Sequence, residues 1–478
     1  MYPVKRGILG FNVNKTKNLS AKVVNLIYCS NKCCFSSKSS LELLPDVENL
    51  FDSGSMKHRK HPGVKKIPPI QLPPLLIDSI YKLICNENEK NILKAAKEVD
   101  SFLHLRRLPL EQNEVNWRLQ KFMNLNHDNY EFNELTEKER IKACKEVKNE
   151  LKRWKPLEYG YFQCLAYMAA RMPANYASIF KIFSEIKSQL PSFQPKTLFD
   201  FGSGVGSSVW AADAVWKETI SEYFCVDSSP DMIDVADTLL TDEKSGDKYL
   251  KNIFFRQFLP ASENIKYDLV VSAFSLLDLP SVADRLRVIN TLWRKTKDVL
   301  VIIEFGNLAG FFSVLNARDY ILQIENNLHD DISLNSSGAH IIMPCSHDMP
   351  CPKVELNHKN TCGFSIPYEY IFPRHRQLIK KDWISYVVLR RGHKPKDSNT
   401  WPRLVQPVMK KSRLVICRAC CSDGKIHDLT LTKSKHGRHA YRCARSSSLG
   451  DLLPFNVKFS EDYPEVLETD DSIDTDKE

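Results

Sequence analysis

The chain has 478 residues, of which 43% are hydrophobic and 26% charged, and its formal net charge is +9. That length has room for two or three domains and a substantial core, and the composition is ordinary for a soluble protein. No stretch approaches the ~18–20 apolar residues needed to span a bilayer, which argues against a membrane-crossing helix.

The first acidic residue is Glu42, and before it stand Lys5, Arg6, Lys15, Lys17, Lys22, Lys32 and Lys38 among Ser and Asn. A basic, hydroxylated, acid-free start predicts a mitochondrial transit peptide over 1–45, and a secretory signal would need a longer apolar core than Val23–Tyr28. Residues 46–190 are expected to hold a basic arm and a helical subdomain. The arm carries Lys57 to His61, Lys65 and Lys66, followed by the proline-rich run Ile67–Pro74, which favours an extended segment. Such an arm suits nucleic acid and a solvated linker equally. Apolar residues at three- and four-residue spacing then predict helices over Asn91–Leu105, Glu134–Trp154 and Tyr161–Gln189. The last of these is expected to break or kink at Pro173.

Residues 191–395 read as a doubly wound α/β domain. Thr197 to Gly206 is an apolar run breaking into Asp-x-Gly-x-Gly-x-Gly, followed at once by a helix over Ser208–Trp216. Strand, glycine turn and helix N-terminus in that order form a nucleotide-type cofactor site. The spacing separates cofactors, because a dinucleotide fingerprint needs Gly or Ala where Ser207 stands. Asp200, Gly202, Gly204 and Gly206 instead form the pattern of a class I S-adenosylmethionine methyltransferase. The next strand, Tyr223 to Asp227, ends in a carboxylate about 20 residues on, where an acid meets two ribose hydroxyls. Further strands are expected at Asn252–Phe258, Tyr267–Phe274 and Val299–Glu304, with a helix at about 281–296. A late strand at Trp383–Arg390 makes 330–380 an insertion.

Seven of fourteen cysteines fall late in the chain: Cys345, Cys351, Cys362, Cys417, Cys420, Cys421 and Cys443. Density of this kind in a reducing compartment suggests a metal. Cys345, Cys351 and Cys362 need a fourth ligand, and the dense source is Cys417–Cys421. Four thiolates suit tetrahedral zinc or an iron–sulfur cube, and the irregular spacing favours the cube. A separate zinc site drawn from Cys417, Cys420, His436, His439 and Cys443 stays open. Residues 396–458 form a basic, β-rich C-terminal segment, with strands and turns over Arg413–Cys417, Lys425–Lys433 and Lys435–Arg442. Its Lys410, Lys411, Arg413, Lys433, Lys435, Arg438, Arg442 and Arg445, interleaved with Trp401 and Tyr441, have the composition of an RNA contact. Residues 459–478 are acidic and expected to be disordered.

No catalyst stands out. The amine-methylating Asn/Asp-Pro-Pro-Tyr/Phe motif is missing from Ser272–Pro280, and neither the fourth nor the fifth strand supplies a nucleophilic Cys. Asp278 is the one polar candidate, and it could equally cap the helix that follows. The stretches FDFGSGVGSSVWAA, FFRQFLP, VVSAFSLLDLPS, TLWRKT, PC-x5-CP and HGRHAYRCARSSSLGDLLP together resemble the methyltransferase-like family of mitochondrial small-ribosomal-subunit assembly factors, over about 58–455. The resemblance implies a mitochondrial matrix protein, not a membrane one, that binds the maturing small subunit, its rRNA and other assembly factors. It also implies an S-adenosyl-L-methionine pocket and a [4Fe–4S] cluster on Cys345, Cys351, Cys362 and Cys420. Two functions remain: an assembly factor with weak or absent catalysis, and an active rRNA methyltransferase.

Overall fold

In the computed structural model the described residues are 39–85, 87–109, 111, 137–138, 141, 145, 154, 157–260, 262, 264–330, 338–354, 361–374, 377–396 and 398–459. The transit peptide expected over 1–45 lies outside them as far as residue 38, as do the helix expected at Glu134–Trp154, apart from isolated positions, and the acidic tail beyond 459. The folded unit begins at Ser39, earlier than the boundary read from composition.

The first strand, β1 (Ser39–Leu43), runs into α1 (Pro45–Asp52), and a 3-10 turn follows at His58–Lys60. Three helices come next: α2 (Pro74–Cys85), α3 (Glu89–Leu105) and α4 (Tyr161–Gln189). α4 continues through Pro173 without the expected break. A proline inside a helix costs about 3 kcal/mol or more. Here Met172, Pro173 and Ala174 are all buried, so packing on both sides of the proline keeps the two halves in line.

The sheet is built by β2 (Thr197–Phe201), α5 (Ser207–Trp216), β3 (Glu222–Val226), α6 (Pro230–Leu239), β4 (Ile253–Arg256), β5 (Tyr267–Ala273), α7 (Val282–Lys295) and β6 (Thr296–Phe305). The five strands are parallel in the order β4-β3-β2-β5-β6, a Rossmann-like arrangement whose order reverses at β2. Ser229 and Ser281 start α6 and α7 by accepting a hydrogen bond from the backbone N–H three residues on. Along β6, Val299, Val301 and Ile303 enter the core shared with α4, while Leu300 and Ile302 enter the one beneath α7. Helices on both faces explain why this strand reads as an unbroken apolar run.

After β6 come α8 (Leu308–Asp330), β7 (Ala339–Met343), β8 (Phe364–Tyr370) and β9 (Leu378–Arg391). β9 lies antiparallel to β6 and also pairs with β7 and β8. Residues 330–380 therefore do not stand apart as an insertion, since they give two strands to the central sheet. What projects from it are the cysteine-bearing loops around 344–354 and 361–363.

The C-terminal segment forms a small antiparallel sheet of β10 (Arg403–Leu404), β11 (Met409–Lys410), β12 (Leu414–Cys420) and β13 (Ile426–Thr432). Lys435–Arg442, read as a strand and turn, belongs instead to a helix, α9 (Lys433–Ser446). The Thr432 side chain caps it by accepting from the Lys435 N–H, and Gly437, at φ +78°, kinks it. The last strand, β14 (Phe455–Phe459), pairs with β1. A buried ion pair, Arg403 Nη2 to Glu185 Oε1 at 2.9 Å, fastens this segment to α4. No helix among the described residues is long and apolar enough to cross a membrane.

Candidate functional site

The glycine turn leaves the sheet at its reversal point. Gly202, Gly204 and Gly206 have φ of +69°, +49° and +83°, a region that side chains disfavour. At Gly202 a Cβ would also sit 2.4 Å from that of Ser275. The Gly202 and Ser203 amides are taken by the Val226 carbonyl, which binds the turn to β3. Asp227, just past β3, accepts from Gly204 N at 2.8 Å and from Ser229 N at 3.0 Å. Each of its oxygens keeps a second acceptor position for a hydroxyl.

Asp200 is 1% exposed, and neither carboxylate oxygen has a hydrogen-bond partner among the described residues. Burial raises its pKa to about 7, Asp227 adds to the shift, and the Ser208 hydroxyl counters it in part without reaching bonding geometry. An orphaned buried carboxyl beside an open-backbone turn fits a ligand's ammonium group.

Tyr159 and Tyr167 meet edge-to-face beside the turn, and a Cβ on Gly204 would lie 3.9 Å from Tyr167. Asp278 does not cap α7, because Ser281 does. Its carboxylate instead meets the buried guanidinium of Arg106 at 2.6 Å. Sequence reading missed Arg106, which comes from the segment after α3 and meets Asp278 only through the fold.

Cys345, Cys351, Cys362 and Cys420 all line one cavity, with Arg403 at its wall. Among the described residues no group of three or more His, Cys, Asp or Glu is placed to hold a single metal ion. Burial first, and then the other thiols, push Cys420 far above the usual range, so this thiol resists ionisation without a cation. Burial raises the Cys345 thiol as well, and Arg318 and Arg403 oppose it only in part. His347 Nε2 lies 3.3 Å from Cys420 Sγ.

Strand alternation separates the remaining candidates. Cys417 and Cys420 are three residues apart on β12, so they face opposite sides. Cys417 faces away from the cavity, close enough to Cys443 for the two thiols to influence each other. Cys421 contacts the Ala419 carbonyl. His436 accepts from Thr432 N, and His439 is bound to His58 and Asp52. The zinc set of Cys417, Cys420, His436, His439 and Cys443 is thus not gathered.

The family profile described as mitochondrial small ribosomal subunit Rsm22 matches residues 162–454. The chain belongs to this family. The matched span holds both the glycine turn and all four cavity cysteines. Human "Ribosome assembly protein METTL17, mitochondrial" is 39% identical over 398 residues, covering 83% of this chain and 86% of that relative. "Rsm22-cox11 tandem protein 2, mitochondrial" of Schizosaccharomyces pombe is 27% identical over 344 residues, 63% of this chain and 44% of the relative. Among solved structures, the magnesium protoporphyrin IX methyltransferase of Synechocystis PCC 6803 with bound SAM aligns at 13% identity and a TM-score of 0.28, covering 50% of this chain and 86% of that one.

Proposed function

We propose that this member of the family is an assembly factor of the mitochondrial small ribosomal subunit, working in the matrix as a binding scaffold rather than as a catalyst. The family match and the name of the human relative support the ribosomal role. The observation that carries the non-catalytic reading is the Arg106–Asp278 pair. The one polar side chain in the position of a catalyst, 36% exposed, is committed to an ion pair with a buried guanidinium. In vitro methyl transfer to small-subunit rRNA or pre-ribosomal particles tests it. Wild type should give no turnover above background. Robust turnover that is lost in both Asp200→Ala and Gly204→Arg would establish the rRNA methyltransferase instead.

The fold and the turn support an S-adenosylmethionine pocket in either case. Asp200 would take the ligand's ammonium, Asp227 its ribose hydroxyls, and the three glycines would admit its chain; when bound, the cofactor supplies an activated methyl group. One pH dependence follows. Below about 7 the buried Asp200 is protonated, whereas the bound ammonium needs the carboxylate. Affinity should therefore rise between pH 5 and 7, by at most about tenfold per unit, and level off above. Calorimetric titration should show this slope in wild type and a flat profile in Asp200→Asn. Equal slopes would remove Asp200 from the site.

The four cavity thiols would hold a [4Fe–4S] cluster with a structural task, clamping the loops after β7 to β12. The basic C-terminal segment would bind rRNA, and the residues before Ser39 would serve as the import signal.

A further inference from the structure

The basic arm and α9, far apart in the chain, build one cleft. The rings of Phe51, His58 and His439 form a mutual cluster, with centroids 4.5, 5.1 and 5.7 Å apart. His58 Nε2 and His439 Nδ1 share a hydrogen bond of 2.9 Å, and His439 Nε2 meets Asp52 at 3.1 Å. Further along, the buried His61 bonds Ser447 Oγ at 2.9 Å. Gly63 abuts Leu452 so closely that a Cβ would lie 1.9 Å from its carbonyl oxygen. The arm is therefore seated on the C-terminal segment and is not a solvated linker.

Lys57, Arg59, Arg442 and Arg445 remain along an open cleft of about 310 Å³, together with His58 and Ser446. Among the described residues none of these four cations makes an ion pair with a carboxylate. Arg445 is pre-positioned by the Lys411 carbonyl at 3.1 Å. No apolar side chain lines the cleft, whereas a protein interface needs an apolar centre and an inserted membrane surface needs apolar anchors. Guanidinium forks match phosphate oxygens in geometry as well as charge. We propose that the seam between the arm and α9 binds the phosphodiester backbone of RNA. This rests on the rRNA-binding reading above and gives it a location.

The test uses the full chain, a labelled oligouridine and extracted small-subunit rRNA, with anisotropy followed across salt concentrations. In the Lys57→Ala/Arg59→Ala/Arg442→Ala variant the slope of log affinity against log salt should fall by about 2, since each single-strand phosphate neutralised contributes about 0.7. The control, Lys90→Ala/Lys94→Ala/Lys97→Ala on α3, removes the same charge outside the cleft and should keep most of the slope. All six side chains are exposed, so both variants should keep the wild-type melting temperature. Equal slopes in both variants, or a cleft variant that binds like wild type, would overturn the cleft while leaving RNA binding intact. Wild type that binds no RNA would remove the underlying reading as well. Preference for cardiolipin vesicles over both RNAs would assign the cleft to a membrane surface and overturn the proposal.

Discussion

Replacing Cys362 by Ser should strip the protein of its iron. Wild type purified without oxygen is expected to be brown with about four irons per chain, as a four-thiolate cube requires. The variant is expected to be colourless. Its consequence should be local: the thiols come from the loops after β7, from just before β8 and from the end of β12, so losing the group frees the C-terminal segment from the sheet. Limited proteolysis should then cut within 396–458, and binding to the small subunit should weaken. Cofactor affinity should persist, because the glycine turn is built by β2 and β3. Cys417→Ser, facing away from the cavity, should keep its iron. Colourless wild type with one tightly held zinc, even with iron supplied anaerobically, would show the other metal to be right. Iron retained in Cys362→Ser would remove that thiol from the ligand set.

Glu185→Leu should be the most destabilising single change in the helical layer, by about 3–5 kcal/mol, because it strands a buried guanidinium. Glu185 and Arg403 side chains are 2% and 4% exposed. Arg403 and Lys181 hold the Glu185 carboxyl down at about 2, against the burial that would raise it. Since the folded pKa lies below the unfolded one, this contribution is complete above about 4.3 and is lost as pH falls toward 2. Urea titration at pH 7 measures the loss. Adding Arg403→Met should recover most of it, since the buried guanidinium is gone and only the less buried Lys181 has lost its Glu185 partner. A double variant as unstable as Glu185→Leu would show that the cost is packing and not charge.

Sequence made the parallel half of the sheet legible for a physical reason. Strands covered on both faces must be apolar throughout, and the glycines mark where the backbone takes positive φ. β8 was hidden because its burial alternates, with Ser365, Pro367 and Glu369 turned away from the core. α9 was hidden by Gly437, by its run of cations and by the small residues of its buried stripe, Ala440, Cys443 and Ala444. Among the site residues, Asp200 and Asp227 announce themselves by ending strands. Spacing alone could prefer Cys420 over Cys417 only with the knowledge that β12 is a strand and which of its faces meets the cavity. Arg106 and Arg403 carried no local signal, since each finds its partner across the fold.

The two ends of the folded unit are each other's neighbours. β1 pairs with β14, and the arm carrying His58 to Gly63 rests on residues 439–452. Contacts spanning nearly the whole sequence close late, because the intervening loop must be ordered first. A chain that emerges amino end first therefore holds a finished amino-terminal region with nowhere to settle until its last strand arrives. Truncation at either end of the folded unit should leave the opposite end unanchored, and the basic cleft is completed only once α9 has been made.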